Sequence, residues 1–259
     1  MEGKPQLTSV RNAARLLKEF SRTDRELGVS ELARRLDLST STVHRMLATL
    51  TAERLLDRGR SGRYRLGLAM YDIGAIAGPK PDLHEAALPV MAVLRADTGE
   101  TVQLAVLDGL ESVYVDRLES PHTVRIFARV GTRLPAPTTS TGKVLLAALP
   151  PAELDARLAA WTPERVTPFT IVDPRTLRAR LREVAERGWA ENREESRVGV
   201  VSVGAPVRDG SGTVVAALSV AAPTDRAAPA TLTRIRAAVI TAAARASARL
   251  SRPTTPGPA

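Results

Sequence analysis

Val10, Ala13, Ala14, Leu17 and Phe20 recur at helical spacing, which predicts an amphipathic helix over Thr8–Ser21 with Thr8 or Ser9 as its cap. The polar stretch Ser21–Gly28 reads as a loop. Leu32 and Leu36 mark the buried side of a short second helix, Val29–Leu36, with Ser30 as a cap. Asp37–Ser39 is a tight turn. A third helix over Ser41–Ala52 then carries Val43, Met46, Leu47 and Leu50 along one side. Leu55–Arg58 and Arg63–Leu66 flank the polar Gly59–Gly62 turn as a small β-hairpin. Gly67–Ala77 is a further apolar helical stretch, and Gly78-Pro79-Lys80-Pro81 breaks the chain after it.

Beyond that break, strands alternate with helices. Leu83–Asp97 predicts a helix stopped by Gly99. Thr101–Leu107 and Ser112–Leu118 alternate as strands around Asp108-Gly109, and Val124–Val130 is a third candidate strand. Ser140–Leu149 is a helix opened by a hydroxyl cap. Asp173-Pro174 starts another, with Asp as cap and Pro at the first helical position, ending at Gly188. Val200–Arg208 and Thr213–Ala221 form a hairpin around Asp209-Gly210-Ser211-Gly212, and Thr231–Leu250 is a C-terminal helix. The expected fold class is α+β. Residues 6–67 make a winged helix-turn-helix, residues 68–80 a connecting helix and break, residues 81–251 a unit with a central antiparallel sheet, and residues 252–259 a disordered tail.

Charge sharpens this division. The net charge is +9, and residues 1–80 carry 15 Lys or Arg against 9 Asp or Glu, so the excess per residue is concentrated in the first third. Such a balance favours a polyanionic partner. The chain has no cysteine, which excludes disulfides, iron–sulfur clusters and thiolate metal sites. No apolar run is long enough to span a bilayer, and the N-terminus lacks the apolar core of a signal peptide. A cytoplasmic protein without membrane association is expected.

A third helix with its apolar stripe turned inward leaves Ser41, Thr42, His44, Arg45 and Ala48 outside. A helix fits the major groove and offers its first turns to base edges, so this face predicts contact with double-stranded DNA. Ser39 and Thr40 stand at the helix start, where hydroxyls and N–H groups meet phosphates. Arg45 either reads a guanine or grips a phosphate, and His44 is either a contact or a plain surface residue. Alternation places Arg63 and Arg65 of the wing on one face, suited to the DNA backbone.

In the second unit, polar residues that interrupt apolar strands or open helices are the candidate ligand contacts. Ser140, Thr141 and Gly142 open a helix, where free N–H groups favour a carboxylate; an ordinary cap is the simpler alternative. Ser202 sits in the apolar strand VVSVGAPV, as a cavity hydroxyl or bonded to a neighbouring carbonyl. Gln103 shares a strand face with Thr101, Ala105 and Leu107 and lies on either the cavity or the solvent side. Glu194, Glu195 and Arg197 read as surface loop charges.

The segment LGVSELARRLDLSTSTVHRMLATLTAERLLDRGRSGRYRLGLAMYDIG, with its STVHRML helix and RYRLG wing, closely resembles the N-terminal region of the IclR family of transcriptional regulators. The resemblance continues through TGETVQLAVLDG, VYVDRLES, FARVGTRLPAPTTSTGKVLLAALP, GWAENREESRVGVVSVGAPV and ALSVAAP, across about residues 6–250. It implies a GAF/PAS-like effector domain whose ligand lies on one face of the sheet, with the Ser140–Gly142 loop lining the pocket. It adds Asn192, Ser219 and Ala221 to Gln103 and Ser202 as pocket positions. Three departures stand out: Thr40 where many members carry a basic or other polar residue, Pro137-Thr138-Thr139 where many carry His-Ala-Thr/Ser, and Ala221 where a hydroxyl is common.

Catalysis is not expected. His44, His84 and His122 are scattered, with no HExxH, GxSxG or GxxxxGK[ST] frame, and neither metal nor cofactor is implied. The sequence therefore predicts a regulator, more often a repressor in this family. It would act as a homodimer or homotetramer, paired partly through the helix near Leu68–Ala77, whose grip on a DNA operator is altered by a small effector such as an organic acid. A partner-binding protein with a degenerate winged helix is the alternative.

Overall fold

The computed structural model describes residues 7–20, 25–77, 81–123, 126 and 129–251. It divides the chain into two compact units, residues 1–78 and 79–259.

The first unit runs α1 (Thr8–Glu19), α2 (Val29–Leu36), α3 (Thr40–Ala52), β1 (Leu56–Arg58), β2 (Tyr64–Leu66) and α4 (Ala69–Ala77). Its core holds Phe20, Leu32, Leu36, Val43, Leu47 and Leu50 of the predicted stripes. The buried residue within α1 is Leu16, while the predicted Val10 and Ala14 are exposed and Ala13 and Leu17 only half-buried, because the inward face of α1 centres on Leu16 and Phe20. Leu56 and Tyr64 of the hairpin close it. Two expected caps differ. Helix α1 follows Leu7 with no side-chain cap, and the residue before α2 is Gly28, not Ser30. Between α2 and α3 the chain turns at Asp37, which takes the left-handed conformation at φ 55° and closes the helix by donating its N–H to Ala33. Leu27 and Tyr64 exchange both backbone hydrogen bonds at 2.9 Å, which ties the wing to the segment before α2. Gly67 is dictated by space, since a Cβ there would stand 2.3 Å from the Arg54 carbonyl oxygen.

The second unit opens with α5 (Pro81–Thr98) and continues with β3 (Thr101–Asp108), β4 (Glu111–Leu118) and β5 (Arg133–Pro135). Then come α6 (Ser140–Ala147), α7 (Pro151–Ala159) and α8 (Pro174–Arg187), followed by β6 (Ala190–Arg193), β7 (Val200–Arg208), β8 (Val214–Pro223) and α9 (Pro229–Leu250). Six strands form one antiparallel sheet in the order β5-β4-β3-β8-β7-β6. The candidate strand Val124–Val130 falls largely outside the described residues; the strand on that edge is β5. Asp173 caps α8 from its side chain and Gly188 ends it at φ 76°, as the sequence predicts.

Period-two alternation gives the sheet two unlike faces. Val102, Leu104, Val201, Val203, Leu218 and Val220 point to one side and pack under α5 and α9, against Met91, Leu94, Ile235 and Val239. Burying this face supplies most of the driving force, at roughly 1.5–3 kcal/mol for each large side chain. The opposite face carries small and polar residues in register: Gln103 beside Ser219 and Gly204, and Thr101 beside Ala221, Ser202 and Asn192. Such a face normally meets water, but here α6 covers it. Two glycines permit the approach. A Cβ on Gly204 would stand 3.1 Å from the Ser140 carbonyl carbon, and one on Gly142 only 2.2 Å from the Ala136 oxygen. Among the described residues, no helix is long and apolar enough to cross a membrane.

Candidate functional site

In the first unit, the inner stripe of α3 is buried and its outer side is open: Ser39, Thr40, Ser41, Thr42, His44 and Arg45 are all exposed. Ser39 caps the helix, its hydroxyl accepting from the Thr42 N–H at 3.2 Å and lying 3.0 and 2.8 Å from the Ser41 and Thr42 hydroxyls. The first turn is thereby preorganised with its hydroxyls gathered at the positive end of the helix. The side chains of His44 and Arg45 make no hydrogen bond or ion pair among the described residues, so both stay available.

The wing differs from the expectation that Arg63 and Arg65 act alike. Arg65 is exposed and only loosely paired with Asp57, at 3.7 Å. Arg63 precedes β2 and turns inward, donating to the Glu26 carbonyl and to Glu31 Oε2, each at 2.9 Å. Alternation fails for Arg63 because it belongs to the turn rather than the strand. Glu31 also binds Arg35. Burial opposes ionisation of the Glu31 carboxyl, but Arg63 and Arg35 prevail and hold its pKa below the ordinary value. Arg63 is thus a brace between wing and α2.

In the second unit, a cavity of about 120 Å³ opens on the polar face of the sheet. Gln103, Thr139, Asn192, Ser202 and Ala221 form its buried wall. Tyr114, Thr132 and Leu134 stand on the β4–β5 side, while Ile126, Ser196 and Arg197 lie toward solvent. Of the predicted pocket positions, Gln103, Asn192, Ser202 and Ala221 come together here. Ser140, Thr141, Gly142 and Ser219 do not line it; they form the layer behind. Ser140 bonds Ser202 at 2.8 Å, Thr141 bonds Ser112 at 2.8 Å, and Gly142 donates its N–H to Thr139 Oγ1 at 2.9 Å. Ser219, only 1% exposed, lies beside Gln103 in the sheet.

A polar network holds this wall. The Glu195 N–H donates to Asn192 Oδ1 at 2.8 Å, which fixes the Asn192 amide so that its nitrogen faces Ser196 at 3.2 Å and Ser202 at 3.5 Å. The Glu195 carbonyl accepts from Thr170 at 2.8 Å. Tyr114 is bonded to Thr141, and burial raises its hydroxyl's pKa above the usual phenol value despite that bond and the nearby Arg117 charge.

The expectation for Glu195 is overturned. It is not a surface charge but is 8% exposed, and its Oε1 lies 2.5 Å from the Nζ of Lys143, which is 1% exposed. Desolvation lowers the Lys143 pKa, and attraction to Glu195 offsets only part of this. Arg197 is exposed, as expected of a surface charge, but stands at the cavity mouth, and Glu194 accepts the Gly199 N–H at 2.7 Å across the same loop. The sequence reading missed Thr139, Tyr114, Ser196 and Arg197 as wall residues. Thr139 was detectable as the hydroxyl one residue before the helix start, and Tyr114 as the aromatic residue inside the second alternating strand.

Residues 79–248 match the family described as bacterial transcriptional regulator IclR C-terminal, and residues 9–60 match the IclR helix-turn-helix domain. The chain is 34% identical to the HTH-type transcriptional regulator XynR of Escherichia coli K12 over 233 residues, covering 90% of this chain and 92% of that one. It is 32% identical over 212 residues to the HTH-type transcriptional repressor AllR of Escherichia coli K12, covering 82% of this chain and 78% of the relative. Among solved structures, an IclR homolog from Microbacterium hydrocarbonoxydans complexed with 4-hydroxybenzoate superimposes with a TM-score of 0.82. It is 30% identical and covers 94% of this chain and 99% of that one. Two matched domains in the expected order, near-complete coverage and the open helix face of the winged unit lead to one conclusion: the chain belongs to the IclR family of bacterial transcriptional regulators.

Proposed function

We propose that this regulator is a repressor that holds a DNA operator through the outer face of α3 and releases it when a small organic acid enters the cavity beside β3, β7 and β8. The observation that carries the reading is the exposed, unengaged pair His44 and Arg45 on a helix whose opposite side buries Val43, Leu47 and Leu50. Ser39, Thr40, Ser41 and Thr42 supply phosphate contacts at the helix start, and Arg65 supplies one from the wing. Repression is the action of the relative AllR, a transcriptional repressor.

The molecule acts as a symmetric oligomer, because a pseudo-palindromic operator needs two α3 helices about one helical turn, 34–36 Å, apart. Helix α4 supports pairing: Tyr71, Ile73 and Ile76 are 74%, 53% and 89% exposed. The effector acts by favouring one placement of the two reading heads over another. An acid suits the cavity because no carboxylate lines it and the cationic Arg197 stands at its mouth. The acid is bound and returned unchanged; the protein is not an enzyme and works in the cytoplasm.

Selection from a pool of random duplexes tests the reading. The full chain should enrich a pseudo-palindrome with half-sites one turn or a multiple apart. Enrichment of no sequence over the starting pool would refute it.

A further inference from the structure

The cavity leaves two groups unused. Gln103 is 3% exposed and lines the wall, yet its amide makes no hydrogen bond among the described residues. Its amide atoms are not sealed inside the protein but reach the cavity space, so they are open to a ligand group. At the mouth, Arg197 is exposed, and its guanidinium makes no hydrogen bond or ion pair among the described residues. The other polar wall groups are already engaged: Asn192 with Glu195, Ser196 and Ser202; Ser202 with Ser140; Thr139 with Gly142; and Thr132 with the Arg129 N–H. The unspent hydrogen-bonding capacity therefore lies at two places, one deep and one at the rim. Volume limits what can join them. The space of about 120 Å³ is below the roughly 150 Å³ of a cavity that admits benzene. That favours a short aliphatic chain over a ring with substituents.

We infer that the effector is a short aliphatic dicarboxylate, with one end received in the cavity by the Gln103 amide and the other paired with Arg197 at the mouth. This rests on the reading of the cavity as the effector site and adds the ligand's second charge. Gln103 donates from its amide nitrogen to the inner carboxylate, and the Arg197 fork takes the outer one through charge-assisted hydrogen bonds. Arg197 is the specificity-determining residue, because a monoacid of equal length fills the same space and leaves the guanidinium in water.

The test compares isosteric pairs on the full chain by titration calorimetry: succinate against butyrate, and glutarate against pentanoate. In each pair the distal carboxylate is replaced by a methyl group. Wild-type protein should bind the better diacid at least about tenfold more tightly than its monoacid, about 1.4 kcal/mol. Arg197→Gln, an exposed change that leaves the fold alone, should erase that ratio while monoacid affinity holds. Arg197→Lys should keep part of it. Ser202→Leu, checked for retained DNA binding, should abolish binding of both members. An unchanged ratio in Arg197→Gln, no preference in the wild type, or no binding of any of the four acids would overturn the inference. Diacid binding that survives Ser202→Leu would instead overturn the cavity as the effector site, and the inference with it.

Discussion

Replacing Lys143 with Met probes the least expected contact in the molecule. The substitution keeps most of the aliphatic stem and removes the ammonium, leaving the Glu195 carboxylate buried. One of its oxygens, Oε2, already lacks a hydrogen-bond partner. Breaking a buried pair from one side costs about 3–5 kcal/mol, because the surviving charge loses the partner that compensates it. For a unit of this size each kcal/mol lowers the melting temperature by about 2–4 °C. The transition of the larger unit should therefore fall by roughly 6–20 °C. The pair itself is not strongly stabilising, since desolvation outweighs the attraction of Glu195 in setting the Lys143 pKa. The double variant Lys143→Met with Glu195→Leu should accordingly recover most of the loss. Urea denaturation followed by circular dichroism on the wild type, both single variants and the double variant completes the cycle. A loss below about 1 kcal/mol in the single variant, or a double variant as unstable as the sum of the singles, would show that the two charges are not paired in a dry site.

Gly142→Ala should destabilise the second unit by about 1–3 kcal/mol, because its Cβ would press on the Ala136 backbone at 2.2 and 2.3 Å; chemical denaturation measures it. The first unit should lose stability in acid. The Glu31 carboxyl has a lower pKa folded than its ordinary 4.5, so the stability it lends is complete above the ordinary value and is lost as pH falls through the folded one. Melting of Glu31→Gln across that range should show a weaker dependence on pH than wild type. Ser202→Leu should remove the operator-release response to effector while operator binding persists, since Ser202 is on the cavity wall of the second unit; a normal response in a reporter assay would move the site elsewhere.

Much of this architecture could be read from residue order because the deciding interactions are local. The Val43, Leu47 and Leu50 stripe, the Asp173-Pro174 start and the Asp209–Gly212 turn each contain their own instruction within one turn of chain. Strands β5 and β6 escaped notice because three or four residues at a sheet edge carry too little alternation, and the pairing that defines them comes from partners far along the chain. The polar sheet face was legible as a parity: Thr101 and Gln103, then Ser219 and Ala221, fall on one side. Whether water or protein covers that side was not, because coverage depends on α6 docking through Gly142 and Gly204. For the same reason Lys143 reads as an ordinary helix lysine. Its partner lies 52 residues away, and no local pattern announces a buried cation. Arg63 illustrates the reverse case, where a wing arginine that looks free is held by Glu26 and Glu31.

The decisive measurement is the affinity of the selected operator for wild type, Arg45→Ala and Arg63→Ala across a salt series. Loss of a side chain that grips a phosphate should reduce the slope of log affinity against log salt by about one. Loss of one that reads a guanine should cost about 1–3 kcal/mol and relax preference at a single base pair. Arg45→Ala should show one of these signatures with the fold intact, while Arg63→Ala weakens binding with the slope unchanged. Arg45→Ala binding its operator as tightly as wild type, at every salt concentration and with the same sequence preference, would mean that the outer side of α3 does not face the duplex.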